Sequence, residues 1–256
     1  MPTIESRTPQ QIIALGGGGF LIEKRNHRMD RYILSLAKKR SPRVCFVPTA
    51  TGDFRGFIDR FYAAFKKFDC RPSHLPLFQR NEIDPAEHLL KQDIIYVGGG
   101  NTANLLAIWR LHGVDRAMRK AWNKGIILCG VSAGMNCWFE SSVTDSFGAL
   151  KELTDGLGLL KGSACPHYDG EPNRRPTYRR LIKQKILPAG VAADDGAAIH
   201  YVGTRVFRCV ASKPGAQAYQ VNLSRGHILE EPLPTVLLTK DGTASDSRRE
   251  PMRRFC

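Results

Sequence analysis

The chain has 256 residues, 42% of them hydrophobic and 24% charged, with a formal net charge of +14. This is ordinary globular composition, and a chain of this length buries roughly 70–75% of its unfolded surface. No run of about 18 apolar residues occurs, so no membrane-spanning helix is expected. The polar start from Met1 to Gln11 has no signal-peptide core, so a cytoplasmic protein is expected.

Buried strands and helices alternate through the first half. Gln11 to Leu15 reads as a short strand that ends in Gly16 to Gly19, and Met29 to Lys39 has helical spacing. Arg43 to Pro48 is a second strand and Gly56 to Phe68 a second helix, with Phe57, Phe61, Ala64, Phe65 and Phe68 along one side. His74 to Phe78 is read as a third strand. Asp84 and Pro85 open another helix, with proline in its first turn. Asp93 to Val97 is a strand ending in Gly98 to Gly100. Helices Asn101–Leu111 and Val114–Asn123 follow, and then strand Ile126 to Val131, which runs directly into Ser132. Met135 to Phe139 reads as an apolar helix and Ser141 to Gly162 as loop with a short helix. Arg175 to Lys185 is a helix. Val191–Tyr201, Val206–Ala211 and Ala218–Leu223 read as strands, with antiparallel pairing a possibility.

This order predicts an α/β fold of three layers, a mainly parallel sheet with helices on both faces. One domain over 1–256 is expected, with flexible tails at about 1–10 and 241–256. Ligands of such sheets bind beyond the carboxyl ends of the strands, where the two glycine runs and Ser132 fall.

The net positive charge brings nucleic acid to mind. Yet the basic residues are spread along the chain, and no aromatic-interleaved motif accompanies them. A solvated basic surface is the expectation, with an acidic substrate or partner the functional alternative. Seven cysteines (Cys45, Cys70, Cys129, Cys137, Cys165, Cys209 and Cys256) form no Cys-x-x-Cys pair, and several lie in apolar runs. Reduced, buried thiols are expected, not a disulfide framework or a metal site. The run Gly16 to Gly19 lacks the full dinucleotide spacing, since position 21 is Leu21, and so NAD is discounted. No cofactor is expected.

Gly130-Val131-Ser132-Ala133-Gly134 follows a hydrophobic strand. Gly-x-Ser-x-Gly at a strand-to-helix turn is the pattern of a nucleophile elbow, where glycines relieve the crowding of a sharp turn and the serine oxygen is exposed. An incidental serine in a tight turn fits the same five residues about as well. A nucleophilic serine needs a base, and the base needs a carboxylate to orient it. Among seven histidines, His27, His88 and His112 lie in charged helical segments, His74 and His200 on or near strands, and His227 in a late turn. His167, in Cys165-Pro166-His167-Tyr168-Asp169, ends an apolar stretch at a loop and stands out. For the acid, Asp194 and Asp195 sit at the edge of an apolar strand, where unpartnered carboxylates are costly to bury. Asp145 and Glu140 are the other candidates. Backbone N–H groups of Ala133 and of the Gly98–Gly100 run can face an oxyanion.

Tyr96 to Thr102, Gly130 to Asn136 and Pro166-His167-Tyr168 together resemble the peptidase E (aspartyl dipeptidase) and cyanophycinase family of serine peptidases, from about residue 10 to about residue 225. The resemblance implies a class I glutamine amidotransferase-like α/β fold and a Ser-His-acid triad. Ser132 would be the nucleophile, His167 the base, and Gly99 or Gly100 with Ala133 the oxyanion donors. Asp195 stands where the family has glutamate. Being one methylene shorter, it requires a closer approach of its strand, or else Asp194, Asp145 or Glu140 takes the role. Asn101, Thr102, Arg174 and Arg175 are the expected substrate contacts, the arginines pairing with a substrate carboxylate. The compact chain favours a small peptide, acidic in one reading, over a polymer. A monomer or homodimer without membrane or nucleic-acid partners is expected. The rival readings are an amidase of the glutamine amidotransferase type and an inactive binding protein on the same fold.

Overall fold

The computed structural model describes residues 8–79 and 83–244. Residues 1–7 and 245–256, which make up most of the two expected tails and include Cys256, lie outside the described residues. Residues 241–244 belong to a turn closed by a bridge between Leu238 and Ala244.

Two sheets organise the molecule. The larger contains β1 (Gln11–Leu15), β2 (Arg43–Val47), β3 (Arg71–His74), β4 (Ile94–Val97), β5 (Ile127–Val131), β10 (Ala197–Val202), β11 (Arg205–Ala211) and β14 (Thr235–Leu237), in the order β14-β11-β10-β1-β5-β4-β2-β3. Strands β1, β5, β4, β2 and β3 run parallel, while β10 is antiparallel to both β1 and β11. The smaller sheet has the order β13-β12-β9-β8-β6-β7. It is built from β6 (Phe139–Thr144), β7 (Lys151–Leu153), β8 (Leu160–Cys165), β9 (Gly190–Ala193), β12 (Ala218–Ser224) and β13 (His227–Leu233). The helices are α1 (Gly19–Ile22), α2 (Arg28–Leu36), α3 (Arg55–Phe65), α4 (Pro85–Leu90), α5 (Thr102–His112), α6 (Val114–Asn123), α7 (Ala133–Asn136) and α8 (Arg174–Lys183).

The central strands are apolar after their first residues, Gln11 in β1 and Arg43 in β2, because both faces of the large sheet are covered. Side chains alternate between the two cores with the period of two that a strand imposes. Ile12, Ala14, Ile95, Val97 and Leu128 enter one core with Leu105, Trp109 and Met118 of α5 and α6. Ile13, Leu15, Tyr96, Ile127, Cys129 and Val131 enter the other, with Met29, Ile33, Phe61 and Phe65 of α2 and α3. The small sheet also packs against the first core through Leu160, Ala164, Val191 and Ala218. Its far side is covered by Tyr178, Leu181 and Ile182 of α8.

Four expected elements differ. The strand near His74 is Arg71–His74, in register with Arg43–Phe46. The helix after Ser132 stops at Asn136, and Phe139 already starts β6. The span Ser141–Gly162 carries strands, not a loop with a helix; its Ser141, Ser142 and Thr144 are buried polar residues that hide the apolar pattern. The expected strand Val191–Tyr201 is broken into β9 and β10, which belong to different sheets. Gly196, at φ 86°, makes that break, since a left-handed backbone there is cheap only for glycine.

Cys45, Cys129, Cys137, Cys165 and Cys209 are free and buried, and Cys70 is free and half-buried. No helix of the described residues is long and apolar enough to cross a membrane. Phe61 is fully buried and packs on Phe20, Phe46 and Phe65, with ring centroids 5.4, 5.2 and 4.5 Å away. Phe61→Ala should therefore destabilise the fold by about 3–5 kcal/mol. In urea unfolding this would appear as a lower midpoint at unchanged slope.

Candidate active site

Ser132 follows the last residue of β5 and precedes α7. Its φ of 58° and ψ of −111° lie outside the regions open to ordinary residues. The flanking glycines allow this turn. A Cβ at Gly134 would stand 2.5 Å from the Val97 carbonyl oxygen, and one at Gly130 would collide with the Gly134 carbonyl. The turn is held by the Ser132 N–H, which donates to the Leu15 carbonyl at 3.1 Å. Met135 and Asn136 N–H groups return to the Ser132 carbonyl at 2.8 and 3.0 Å. Among the described residues the Ser132 hydroxyl has no hydrogen-bond partner.

His167 also sits at positive φ, 52°, just after β8. Its N–H donates to the Gly16 carbonyl at 3.3 Å, so it is anchored one residue along from the carbonyl that holds Ser132. Its Nδ1 lies 2.6 Å from Asp195 Oδ1. Asp195 forms an isolated parallel bridge with Gly17, and the Gly196 N–H donates to the Gly17 carbonyl at 2.9 Å. This is the close approach that an aspartate requires. A Cβ at Gly17 would fall 3.0 Å from His167 Nδ1 and overlap the Asp195 carboxylate; one at Gly170 would overlap it from the other side. The Asp195 N–H is held by Asp169 Oδ1 at 2.7 Å.

Gly17, Asp169 and Gly170 were not singled out in the sequence for this role. A glycine run after β1 and a glycine three residues after His167 were the available signals, but neither says which carboxylate needs the space.

The adjacent aspartates have opposite electrostatics. The hydrogen bond from His167 holds the Asp195 carboxyl below its ordinary value, against the opposing effect of burial. Asp194 is buried and points away, accepting from the Gln217 N–H at 3.0 Å. Burial, followed by repulsion from Asp169, pushes its carboxyl up to about 6. The other two candidate acids are engaged elsewhere. Glu140 is exposed and accepts from the Gly162 N–H at 2.9 Å. Asp145 is 3.4 Å from Arg174.

Of the expected substrate contacts, Asn101 caps α5, accepting from the Asn104 N–H at 2.8 Å and donating to the Ser146 carbonyl at 2.9 Å. Thr102 is buried against Asn136 and has no surface to offer a ligand. Arg174, expected to meet a substrate carboxylate, is 3% exposed and is held by Glu171, Asp145 and the Val143 carbonyl. The apolar face of α8 turns it inward, and its charge is already balanced. Arg175 is half exposed, pairs with Glu230, and lies over the rings of Tyr168 and Tyr219 at 5.2 and 5.4 Å. A groove of about 640 Å³ lined by Tyr168, Asp169, Arg175 and Arg179 opens there. The N–H groups of Gly99, Gly100 and Ala133 donate to no protein acceptor among the described residues. A Cβ at Gly99 would be 3.6 Å from Ser132 Oγ, so the Gly98–Gly100 loop borders the serine.

The family model for peptidase family S51 matches residues 12–209. The chain is 51% identical over 229 residues to the uncharacterized peptidase YgaJ of Bacillus subtilis, covering 90% of this chain and 99% of that one. It is 32% identical over 158 residues to peptidase E of Streptomyces coelicolor, covering 57% and 63%. Among solved structures it superposes on a peptidase from an acI-B1 Actinobacterium with a TM-score of 0.68 at 16% identity, over 90% of this chain and 96% of that one. A putative peptidase E protein from Listeria monocytogenes EGD-e gives 0.55 at 17% identity, over 88% and 100%. The chain belongs to peptidase family S51. It is a serine-type peptidase, a hydrolase of the peptidase E type, and it shares its α/β fold with solved peptidases.

Gly17→Ala should force the Asp195 carboxylate off His167, costing about 1–3 kcal/mol in urea unfolding and removing the downfield proton signal of the His167–Asp195 hydrogen bond. Asp194 gives a pH prediction. Its folded-state value, about 6, lies above the ordinary 3.8, so the folded state binds this proton more tightly. Stability at this site is therefore lost as pH rises through that window, and the loss is complete above it. Asp194→Asn should gain on the order of 1 kcal/mol over wild type between pH 4 and pH 7. Unfolding curves of the two proteins that run parallel across that range would contradict it.

Proposed function

We propose that this member of peptidase family S51 hydrolyses small peptides through a Ser132–His167–Asp195 triad and an acyl-enzyme. The observation that carries the reading is the shared anchorage of Ser132, His167 and the Asp195–Gly196 turn on consecutive carbonyls after β1, with His167 Nδ1 2.6 Å from Asp195.

The chemistry follows from the atoms involved. Asp195 accepts the Nδ1–H of His167, which leaves Nε2 as the basic nitrogen. Ser132 Oγ turns to the scissile carbonyl as Nε2 takes its proton. The tetrahedral oxyanion is met by the N–H of Ala133 and of Gly99 or Gly100, donors that cost no reorganisation because no protein acceptor holds them. The imidazolium returns its proton to the leaving amine, and water then attacks the ester with His167 again as base. Asp195 stays ionised throughout, as its depressed proton affinity requires.

Ser132→Ala and His167→Ala are each expected to lower kcat by about 10⁴–10⁶ on a cleaved dipeptide. They should also abolish labelling by a fluorophosphonate, read as one adduct by intact mass. Asp195→Asn, which permits the wrong imidazole tautomer, should cost about 10⁴, whereas Asp194→Asn should leave kcat within a few-fold. Unchanged turnover in Ser132→Ala would end the reading, and equal losses in the two asparagine variants would reassign the acid.

A further inference from the structure

A second concave surface lies behind the turn that carries Asp195. It has a volume of about 490 Å³ and is lined by Arg25, His27, Arg28, Arg31, Lys213 and Lys240, together with Ser212. Its wall is attached to the Asp195–Gly196 turn. Ser212 N–H donates to the Gly196 carbonyl at 2.8 Å, and a Cβ at Gly196 would meet Lys213 Cγ at 2.9 Å. Neither Ser132, His167 nor Asp195 lines it.

Its charge is one-sided. Five lysines and arginines face the cavity, and no carboxylate is among its lining residues. The two nearest acids are used from behind. Glu23 accepts from Ser212 Oγ, Asn26 and the Gly19 N–H, and Asp30 is buried against the Phe20 N–H and His27. Among the described residues the Arg28 guanidinium donates only to the Ser212 carbonyl, at 3.4 Å, and Lys213 has a 3.9 Å contact with Asp169.

Two other basic grooves include carboxylates in their lining. The one formed by Arg110, Arg116, Arg119, Lys120 and Lys124 contains Asp115, and its Arg110 pairs with Asp155. The one beyond Arg31 contains Asp69 and Asp241, with Lys39 paired to Asp93 and Arg40 to Asp69. Holding five like charges around one cavity raises their mutual repulsion, which a bound polyanion relieves.

We propose that this cavity is a binding site for a small polyphosphorylated molecule, recognised through its phosphates. Guanidinium groups match phosphate oxygens bidentately, and three arginines converge here. No Phe, Tyr or Trp lines the cavity to stack a base, and the groove beyond Arg31 contains Asp69 and Asp241, so a long nucleic acid strand is not favoured.

The test is calorimetric titration of the full chain with inorganic tripolyphosphate at about 0.1 M salt, where the screening length is about 10 Å. Arg25 and Lys240 are exposed, so the double variant Arg25→Ala/Lys240→Ala keeps the fold, checked by its unfolding midpoint. One-site binding is expected, weakened about tenfold or more in that variant and unchanged in Arg116→Ala/Arg119→Ala. No binding at millimolar tripolyphosphate, or equal weakening in both variants, would overturn the site. Citrate binding as tightly would overturn the phosphate assignment. An oligonucleotide that binds more tightly and loses affinity in both variants would replace the site with an extended nucleic-acid surface.

Discussion

Three successive carbonyl oxygens at the end of β1 each accept a backbone N–H from a distant part of the chain. Leu15 takes Ser132, Gly16 takes His167, and Gly17 takes Gly196, at 3.1, 3.3 and 2.9 Å. Strand β1 is buried on both faces and paired on both edges, with β5 and β10. The chain leaving it is therefore a fixed frame, and the segments docked on it inherit its precision. Side chains at Gly16 and Gly17 would occupy the space through which Ala193, Asp194 and Asp195 approach. The glycine run thus serves close backbone packing and not a phosphate loop.

The two sheets meet at that frame. The chain leaves the small sheet at Ala193 and enters the large sheet at Ala197. The three residues between carry both aspartates and the left-handed Gly196. Consecutive side chains on an extended backbone point to opposite sides. Asp194 is accordingly buried toward Gln217 and Asp195 toward His167. The same geometry sets their opposite proton affinities: one carboxylate is stabilised by a hydrogen bond from imidazole, while the other pays the cost of burial beside Asp169. In the proposed triad this arrangement supplies one ionised acid at the imidazole and keeps the second from competing for it.

Positive charge is distributed unevenly over the structure. Some exposed cations pair with a carboxylate, as in Arg55–Asp59, Lys91–Glu87 and Arg110–Asp155. Arg174 is taken into the interior with Glu171 and Asp145 for partners. The cavity around Arg25 and Lys213 has five cations and no carboxylate in its lining, in a chain with net charge +14.

Local pattern alone determined much of this protein. The apolar runs of β1, β2, β4 and β5 and the amphipathic helices between them specify a parallel α/β core, since strand and helix periods are short-range properties. The elbow around Ser132 was legible for the same reason: Gly130 and Gly134 are needed by a turn five residues long. Periodicity failed in β6, where Ser141, Ser142 and Thr144 are buried in place of apolar residues, and in the β9–β10 segment, where one apolar stretch serves two sheets. The tertiary structure alone decided which carboxylate faces His167, that Arg174 is interior, and that Arg175 already has Glu230. Each of these depends on contacts between residues far apart in sequence. Asp195 and His167 are 28 residues apart, and Arg175 and Glu230 are 55 apart. Side-chain identity shows that such groups need a partner, but only the packing of the two sheets against the end of β1 brings the partner within reach.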